Sequence, residues 1–189
     1  SPLSPKVKQA SQRAVIFISS QEHHSNELLW REAGNADCVV IPQDGSTGLM
    51  DEAALVEELN RYQDRPLKLA SFSAASNVTG IRCDSQHITK ILHEHGVWAA
   101  WDFAAAGPHG GIDVKGEDLD AVYLSPHKYV GGPGTPGLLV ARRALFTNTV
   151  PTSPAGGTVS YVQPHGHKYL EDIESREEGG TPAIIDSIR

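Results

Sequence analysis

The chain has 189 residues, of which 39% are hydrophobic, enough to bury the core of one domain or of one domain with part of a second. Sixteen Lys and Arg side chains against 23 Asp and Glu give a formal charge of -7, which argues against nucleic acid or an anionic membrane as a partner. Two cysteines are too few for a disulfide framework, and no apolar segment is long enough to cross a membrane. We therefore expect a reducing, intracellular compartment, the cytoplasm.

The first predicted elements form a βαβ unit. Residues 14–19 and 37–42 are short β-rich runs, and the segment between them contains Leu28, Leu29 and Trp30.

Two further helices are predicted from their caps. Asp51 precedes an apolar face that Pro66 ends, and Asp84 precedes a second face that Gly96 ends. The apolar positions are Leu55, Val56, Leu59 and Tyr62 in one helix, and Ile88, Ile91 and Leu92 in the other.

Strands alternate with helices along the rest of the chain. Further β-rich runs lie at residues 67–72, 97–101, 121–124 and 137–141. The alternation predicts an α/β fold, a mostly parallel or mixed sheet flanked by helices. From about residue 148 the chain is rich in Pro, Gly, Thr and His, which predicts long loops at the margin of the domain.

Side chains that follow the predicted strands form a candidate site. Ligands bind beyond the carboxyl ends of parallel strands, so residues just after different strands should meet. Those residues are His23 and His24 after the first strand, Ser76 and Asn77 after residues 67–72, Asp102 after residues 97–101, and Ser125, His127 and Lys128 after residues 121–124. A base, an amide, a carboxylate and an amine beside a glycine-rich loop are typical of a site for an electrophilic, phosphate-bearing cofactor.

Five short motifs, which include these candidate site residues, resemble motifs of a known enzyme family. Residues 22–26, 76–80, 102–109, 125–135 and 176–182 resemble, in the same order, motifs of the pyridoxal-phosphate enzymes of the class V aminotransferase family. The resemblance is greatest to the cysteine desulfurase and selenocysteine lyase branch. It covers nearly the whole chain, and the pairing of Asp102 with Lys128 is its most specific part.

The resemblance implies a role for each residue around the cofactor, pyridoxal 5'-phosphate. Lys128 resembles the lysine that forms the Schiff base and acts in catalysis. Asp102 resembles the carboxylate that pairs with the pyridinium nitrogen. His23 resembles the histidine that stacks on the ring and acts as an acid or base. Asn77 resembles the amide that binds the phenolic oxygen.

The remaining residues are expected to hold the phosphate. Ser125 and His127 resemble donors to it, and Thr181 resembles a threonine that reaches the phosphate of the neighbouring subunit, which implies a homodimer. Ala105 stands where this branch usually has a glutamine, so one contact of the branch is missing or supplied elsewhere.

A structural alternative stays open for several of these positions. Lysine is usually a solvated surface amine, and an amine must lose its proton before it attacks an aldehyde, which favours burial or a neighbouring cation at Lys128. Asp102 and Asn77 also fit turns, and Thr181 also fits a loop before a proline.

The resemblance also sets the expected domain organisation. Residues 1–189 are expected to be the core of the large domain of a fold type I enzyme, with an N-terminal segment and a C-terminal small domain outside the sequence. An organelle therefore stays open as the compartment. The expected reaction removes sulfur or selenium from cysteine or selenocysteine and gives alanine. The alternatives are a class V aminotransferase or another lyase and, for these residues alone, a noncatalytic α/β binding module.

A metal site and a catalytic cysteine are less well supported by the sequence. A metal site would have to use histidines without any cysteine-rich spacing. The histidines in question are His93, His95, His109, His165 and His167.

Cys38 lies in an apolar run that predicts an inert thiol, and Cys83 lies at a predicted helix start that could lower its pKa. Neither cysteine is assigned a catalytic role.

Overall fold

A computed structural model describes residues 10–188 and contains a six-stranded mixed sheet in the order β2-β1-β3-β4-β5-β6. Its strands are β1 (Ala14–Ser19), β2 (Ala36–Ile41), β3 (Lys68–Ser73), β4 (Trp98–Asp102), β5 (Ala121–Leu124) and β6 (Leu138–Ala141). Strands β1 to β5 run parallel, and β6 pairs with β5 in the antiparallel direction. The predicted α/β fold with a mostly parallel sheet is confirmed.

The connections between the parallel strands carry three helices of eight to ten residues, α1 (His24–Arg31), α2 (Glu52–Arg61) and α3 (Ser85–Glu94). The predicted caps are confirmed, because the Asp51 carboxylate accepts from Ala54 N at 3.0 Å and the Asp84 carboxylate accepts from His87 N at 3.0 Å. No helix within residues 10–188 is both long and apolar enough to cross a membrane.

The core lies between the sheet and the apolar faces of α2 and α3. Leu55 and Leu59 of α2 are fully buried, as are Leu92 of α3 and Trp101 of β4. The Trp101 indole donates to Thr89 Oγ1 at 2.8 Å, which satisfies its N–H inside the core. The apolar residues that recur at helical spacing in α2 and α3 therefore pack against the apolar face of the sheet.

The chain after residue 148 is more ordered than predicted. A hairpin of β7 (Val159–Gln163) and β8 (Gly166–Tyr169) is followed by a short helix, α4 (Ile173–Glu177). The prediction of long loops was wrong here. The strands of a solvent-exposed two-stranded hairpin need no apolar run, so composition did not reveal them.

Parallel pairing fixes which side chains meet at the carboxyl edge. Ser73, Asp102 and Tyr123 are Cα partners across β3, β4 and β5, so their side chains project from the same face of neighbouring strands. The turns that follow β1, β3, β4 and β5 therefore converge at this edge.

Candidate active site

A cavity of about 300 Å³ opens at the carboxyl edge of the sheet. Six of the seven predicted site residues line it, namely His23, Asn77, Asp102, Ser125, His127 and Lys128. The rest of the lining is Ser25, Ser73, Ala75, Ala104 and Ala105. The convergence predicted from the strand ends is thus found in the structure.

Asp102 is the buried acid of the cavity, with 9% of its surface exposed. Its Oδ1 accepts from Ala104 N at 2.7 Å and closes the turn after β4. Its Oδ2 has no hydrogen-bond or ion-pair partner among residues 10–188. Burial, and secondly the charge of Asp102, raise the pKa of the neighbouring Tyr123 phenol. A buried carboxylate with one unpaired oxygen suits a cationic or N–H-bearing ligand.

Lys128 ends a 3-10 turn, Pro126–Lys128, directly after β5. The turn is closed by Lys128 N donating to Ser125 O at 3.0 Å, and the loop folds back so that a Cβ on Gly132 would lie 2.0 Å from Pro126 O. The glycine therefore allows the loop to close, and the closed loop places the lysine at the cavity.

The lysine itself is exposed, so burial, one of the two settings that the sequence analysis favoured for it, is not found. Its Nζ makes no hydrogen bond or ion pair with the described part of the chain. The amine is thus available to a ligand in the cavity.

His23 occupies the cavity wall as the N-cap of α1. Its Nδ1 accepts from Ser25 N at 3.2 Å and lies 2.7 Å from Ser25 Oγ. With Nδ1 as the acceptor, a neutral ring carries its proton on Nε2, an assignment that follows from the hydrogen bonds. His24 beside it does not line the cavity.

Asn77 lies in the turn after β3. Ser76 Oγ accepts from the backbone N–H groups of Val78 and Thr79, each at 3.2 Å, and Gly80 ends the turn with a φ of +73°. This is the turn that the alternative reading of the sequence favoured. Because Ser76 closes it, the amide of Asn77 is left to face the cavity.

Ser125 precedes the turn that ends at Lys128 and His127 lies within it, and both line the cavity. A hydroxyl and an imidazole there can donate hydrogen bonds to an anionic group.

Thr181 is the one predicted site residue that does not line the cavity. It is exposed and follows Gly180, which has a φ of +88° and donates its N–H to Gly156 O at 2.8 Å. Its predicted contact with a second subunit stays a prediction.

A half-buried carboxylate, Glu22, lies behind the cavity and was not predicted as a site residue. Its Oε1 accepts from Ser19 Oγ at 2.6 Å and from Ser73 N at 2.9 Å. Its Oε2 accepts from Ser73 Oγ at 2.7 Å and from Asn26 Nδ2 at 2.6 Å. Ser73 ends β3, so the expectation that residues at the ends of parallel strands meet could have included Ser73. The bonds to Glu22 depend on β3 lying beside β1, which the sequence did not show.

The two cysteines lie outside the cavity. Burial raises the pKa of Cys38, and burial followed by the charges of Asp84, Glu52 and Glu22 raises the pKa of Cys83 to about 12. The expectation that a helix start could lower the pKa of Cys83 was wrong, because burial outweighs the helix end.

The histidines considered for a metal are engaged elsewhere or dispersed. His93 contacts Asp120 through Nε2 at 2.8 Å, and His95 contacts Ile91 O through Nδ1 at 2.8 Å. Residues 10–188 contain no group of three or more His, Cys, Asp or Glu side chains arranged to hold a metal ion.

Comparison with known proteins identifies the relatives of this chain. The family model described as aminotransferase class-V matches residues 5–189. A probable cysteine desulfurase of Aeropyrum pernix is 30% identical over 181 residues, covering 92% of this chain and 42% of the relative.

Solved structures of similar proteins show the same fold. The apo cysteine desulfurase of Thermococcus onnurineus NA1 is 27% identical, with a TM-score of 0.79 over 94% of this chain and 44% of the relative. The cysteine desulfurase CsdA of Escherichia coli is 24% identical, with a TM-score of 0.78 and the same coverage of both chains. The chain thus spans less than half the length of each relative.

Proposed function

The chain belongs to the aminotransferase class-V family, and on that premise we propose that residues 1–189 are the cofactor-binding large-domain core of a pyridoxal-phosphate enzyme. We further propose that the enzyme acts on a small amino acid, removing sulfur or selenium from cysteine or selenocysteine. The name of the Aeropyrum pernix relative supports this substrate class. The observation that carries the proposal is the meeting of Lys128, Asp102 and His23 around one cavity.

The donor set of the cavity fits pyridoxal 5'-phosphate. The cavity offers an amine and a carboxylate oxygen, both without a partner among residues 10–188, for an aldehyde and a ring N–H, and it offers hydroxyl, imidazole and amide donors for anionic oxygens. The methyl groups of Ala75, Ala104 and Ala105 add an apolar wall for a flat ring. When bound, pyridoxal phosphate supplies a ring that withdraws electrons from the reacting carbon of an amino acid.

Each side chain then has one task. Asp102 would hold the ring nitrogen through Oδ2, while its bond from Ala104 N keeps the carboxylate in place. Lys128 would hold the aldehyde group of the cofactor through Nζ. His23 presents Nε2 to the cavity, where it can move a proton to or from the substrate.

Ser125 and His127 would donate to the phosphate, and Asn77 would donate to the phenolic oxygen. These contacts orient the ring against Lys128 and Asp102. Because Ala105 cannot donate through its side chain, Asn77 is the side-chain donor that we assign to the phenolic oxygen.

We propose that Thr181 serves the cavity of a second copy. Thr181 is exposed and outside the cavity of its own chain, which is the placement that such a contact requires. The active form would then be a homodimer with shared sites.

The test is covalent capture of the cofactor. The chain is incubated with pyridoxal phosphate, reduced with borohydride, digested, and analysed by mass spectrometry. We expect the label on Lys128 in the wild type, no label at this position in Lys128→Ala, and an unchanged label in the control Lys115→Ala, which removes another exposed lysine. Equal labelling of surface lysines would overturn the proposal, and tight binding without a label would indicate a noncatalytic binding module.

A further inference from the structure

We propose that Glu22 is a positioning residue that fixes the place of His23 by tying the start of α1 to the end of β3. The inference rests on the proposed function in one respect, since His23 is taken there as a cavity residue. Glu22 is adjacent to His23 in the chain, and its carboxylate joins β1 to α1 and β3, two elements that contribute residues to the cavity lining.

The Glu22 carboxylate is the acceptor on which all three elements converge. Donors to Glu22 come from Ser19 at the end of β1, from the backbone and hydroxyl of Ser73 at the end of β3, and from Asn26 in the first turn of α1. Four hydrogen bonds to one ionised carboxylate hold the connection between β1 and α1 against the sheet.

Asn26 extends the link into buried structure. This residue is 7% exposed, and its Oδ1 accepts from Ser71 Oγ at 2.6 Å and from Trp30 Nε1 at 3.2 Å. Because the Trp30 indole can only donate, the Asn26 amide cannot turn over without losing that bond. Its Nδ2 therefore remains a donor towards Glu22.

By contrast, His23 has only local support. Its ring bonds within its own turn to Ser25, and its side chain is exposed. The position of the ring in the cavity wall thus depends on the turn to which it is attached. Glu22 fastens this turn to the end of β3, while Asn26 separately fastens the first turn of α1 to Ser71 in the same strand.

Glu22→Gln is the sharpest perturbation of this link. Ser73 N and Asn26 Nδ2 are obligate donors, and each faces a different oxygen of Glu22. A glutamine has one oxygen and one NH2 group, so in either orientation one obligate donor meets another donor. The two serine hydroxyls can rotate, but they cannot remove this conflict.

The first measurement needs no cofactor. Long-range proton–nitrogen NMR of the unliganded chain reports the tautomer of each histidine, and His23→Gln assigns the His23 signals. We expect a single tautomer protonated at Nε2 in the wild type and a mixture in Glu22→Gln. The matched control is Glu27→Gln, which removes a carboxylate of α1 that forms an ion pair with Arg31, at 2.7 Å. It should retain the single tautomer.

The second measurement is the Kd for pyridoxal phosphate, followed by absorbance. If the loosened turn holds His23 in place only a tenth of the time, the Kd rises about tenfold. Should Glu22→Gln fail to fold, Ser73→Ala removes one donor and should shift both readouts in the same direction by less.

The two proposals fail separately. A wild-type chain that does not bind pyridoxal phosphate would reject the proposed function, while the tautomer comparison would still decide the role of Glu22. A Glu22→Gln variant with the wild-type His23 tautomer would overturn the positioning role, even if its melting temperature were lower.

Discussion

Replacing Asp102 by asparagine separates the two roles that one side chain combines. The Oδ1 of Asp102 closes a turn by accepting from Ala104 N, whereas Oδ2 is unpaired in the described part of the chain. Asparagine can keep the first bond through its own Oδ1, and it places an NH2 group where the free oxygen was. The variant also removes a charge from a residue that is only 9% exposed.

The expected effects on stability and on binding therefore differ. The turn bond is retained, and the oxygen that is replaced faces the cavity without a partner among residues 10–188, so we expect a melting temperature within about 2 °C of the wild type. A charge-assisted hydrogen bond to the ring contributes about 1.5 to 3 kcal/mol, so its loss should raise the Kd for pyridoxal phosphate by about 10-fold to 150-fold.

The assay is a titration of the chain with pyridoxal phosphate, followed by absorbance, together with thermal melting of each variant. Asp113→Asn is the matched control, because Asp113 Oδ1 also closes a turn, accepting from Gly116 N at 2.8 Å, but lies away from the cavity. Its Kd should be unchanged. An Asp102→Asn variant with the wild-type Kd would refute the assignment of Oδ2 to the ring nitrogen.

Three further predictions test other parts of the structure. Gly132→Ala should abolish labelling of the cavity lysine, because a Cβ would lie 2.0 Å from Pro126 O and force the loop open; labelling at the wild-type level would contradict this. Cys83, whose pKa burial raises to about 12, should resist iodoacetamide at pH 8, and mass spectrometry of the native chain checks it. The Glu52 hydrogen bond and charge raise the pKa of His87, so their contribution to stability is present below the ordinary histidine pKa and is lost as pH rises through the folded value. Glu52→Gln should therefore lower the melting temperature more at pH 6 than at pH 8, and an equal change at both pH values would exclude this pair as the cause.

Strand ends were the most informative part of the sequence. The cavity residues Asp102, Ser125 and Lys128 follow apolar runs that form parallel strands, and parallel strands end on one edge. Placing them on one edge therefore required only the direction of the strands, and the pairing of β4 with β5 brings them together. The caps Asp51 and Asp84 were equally local, because each is decided by a residue three positions later.

Features that depend on strand order were not predictable in the same way. Glu22 binds Ser73 because β3 lies next to β1, and the sequence alone did not place these strands side by side. The exposure of Lys128 depends on what covers the loop after β5, which local pattern does not record. The β7–β8 hairpin was missed because its pairing is antiparallel and solvent-exposed, so its residues alternate weakly in polarity.

The order of the strands also sets when the cavity can exist during folding. His23 follows β1 and Asn77 follows β3, and these strands are adjacent although β2 and two helices separate them in the chain. Closing this long loop costs chain entropy that no local contact repays, so a partly folded chain holding only the β1–β2 pair has no cavity. A ligand that touches both turns consequently binds the native state alone. At 100 times its Kd, such a ligand adds about 2.7 kcal/mol to the free energy of unfolding. Ligand binding therefore stabilises the pairing of β1 with β3, which joins the residues farthest apart in sequence.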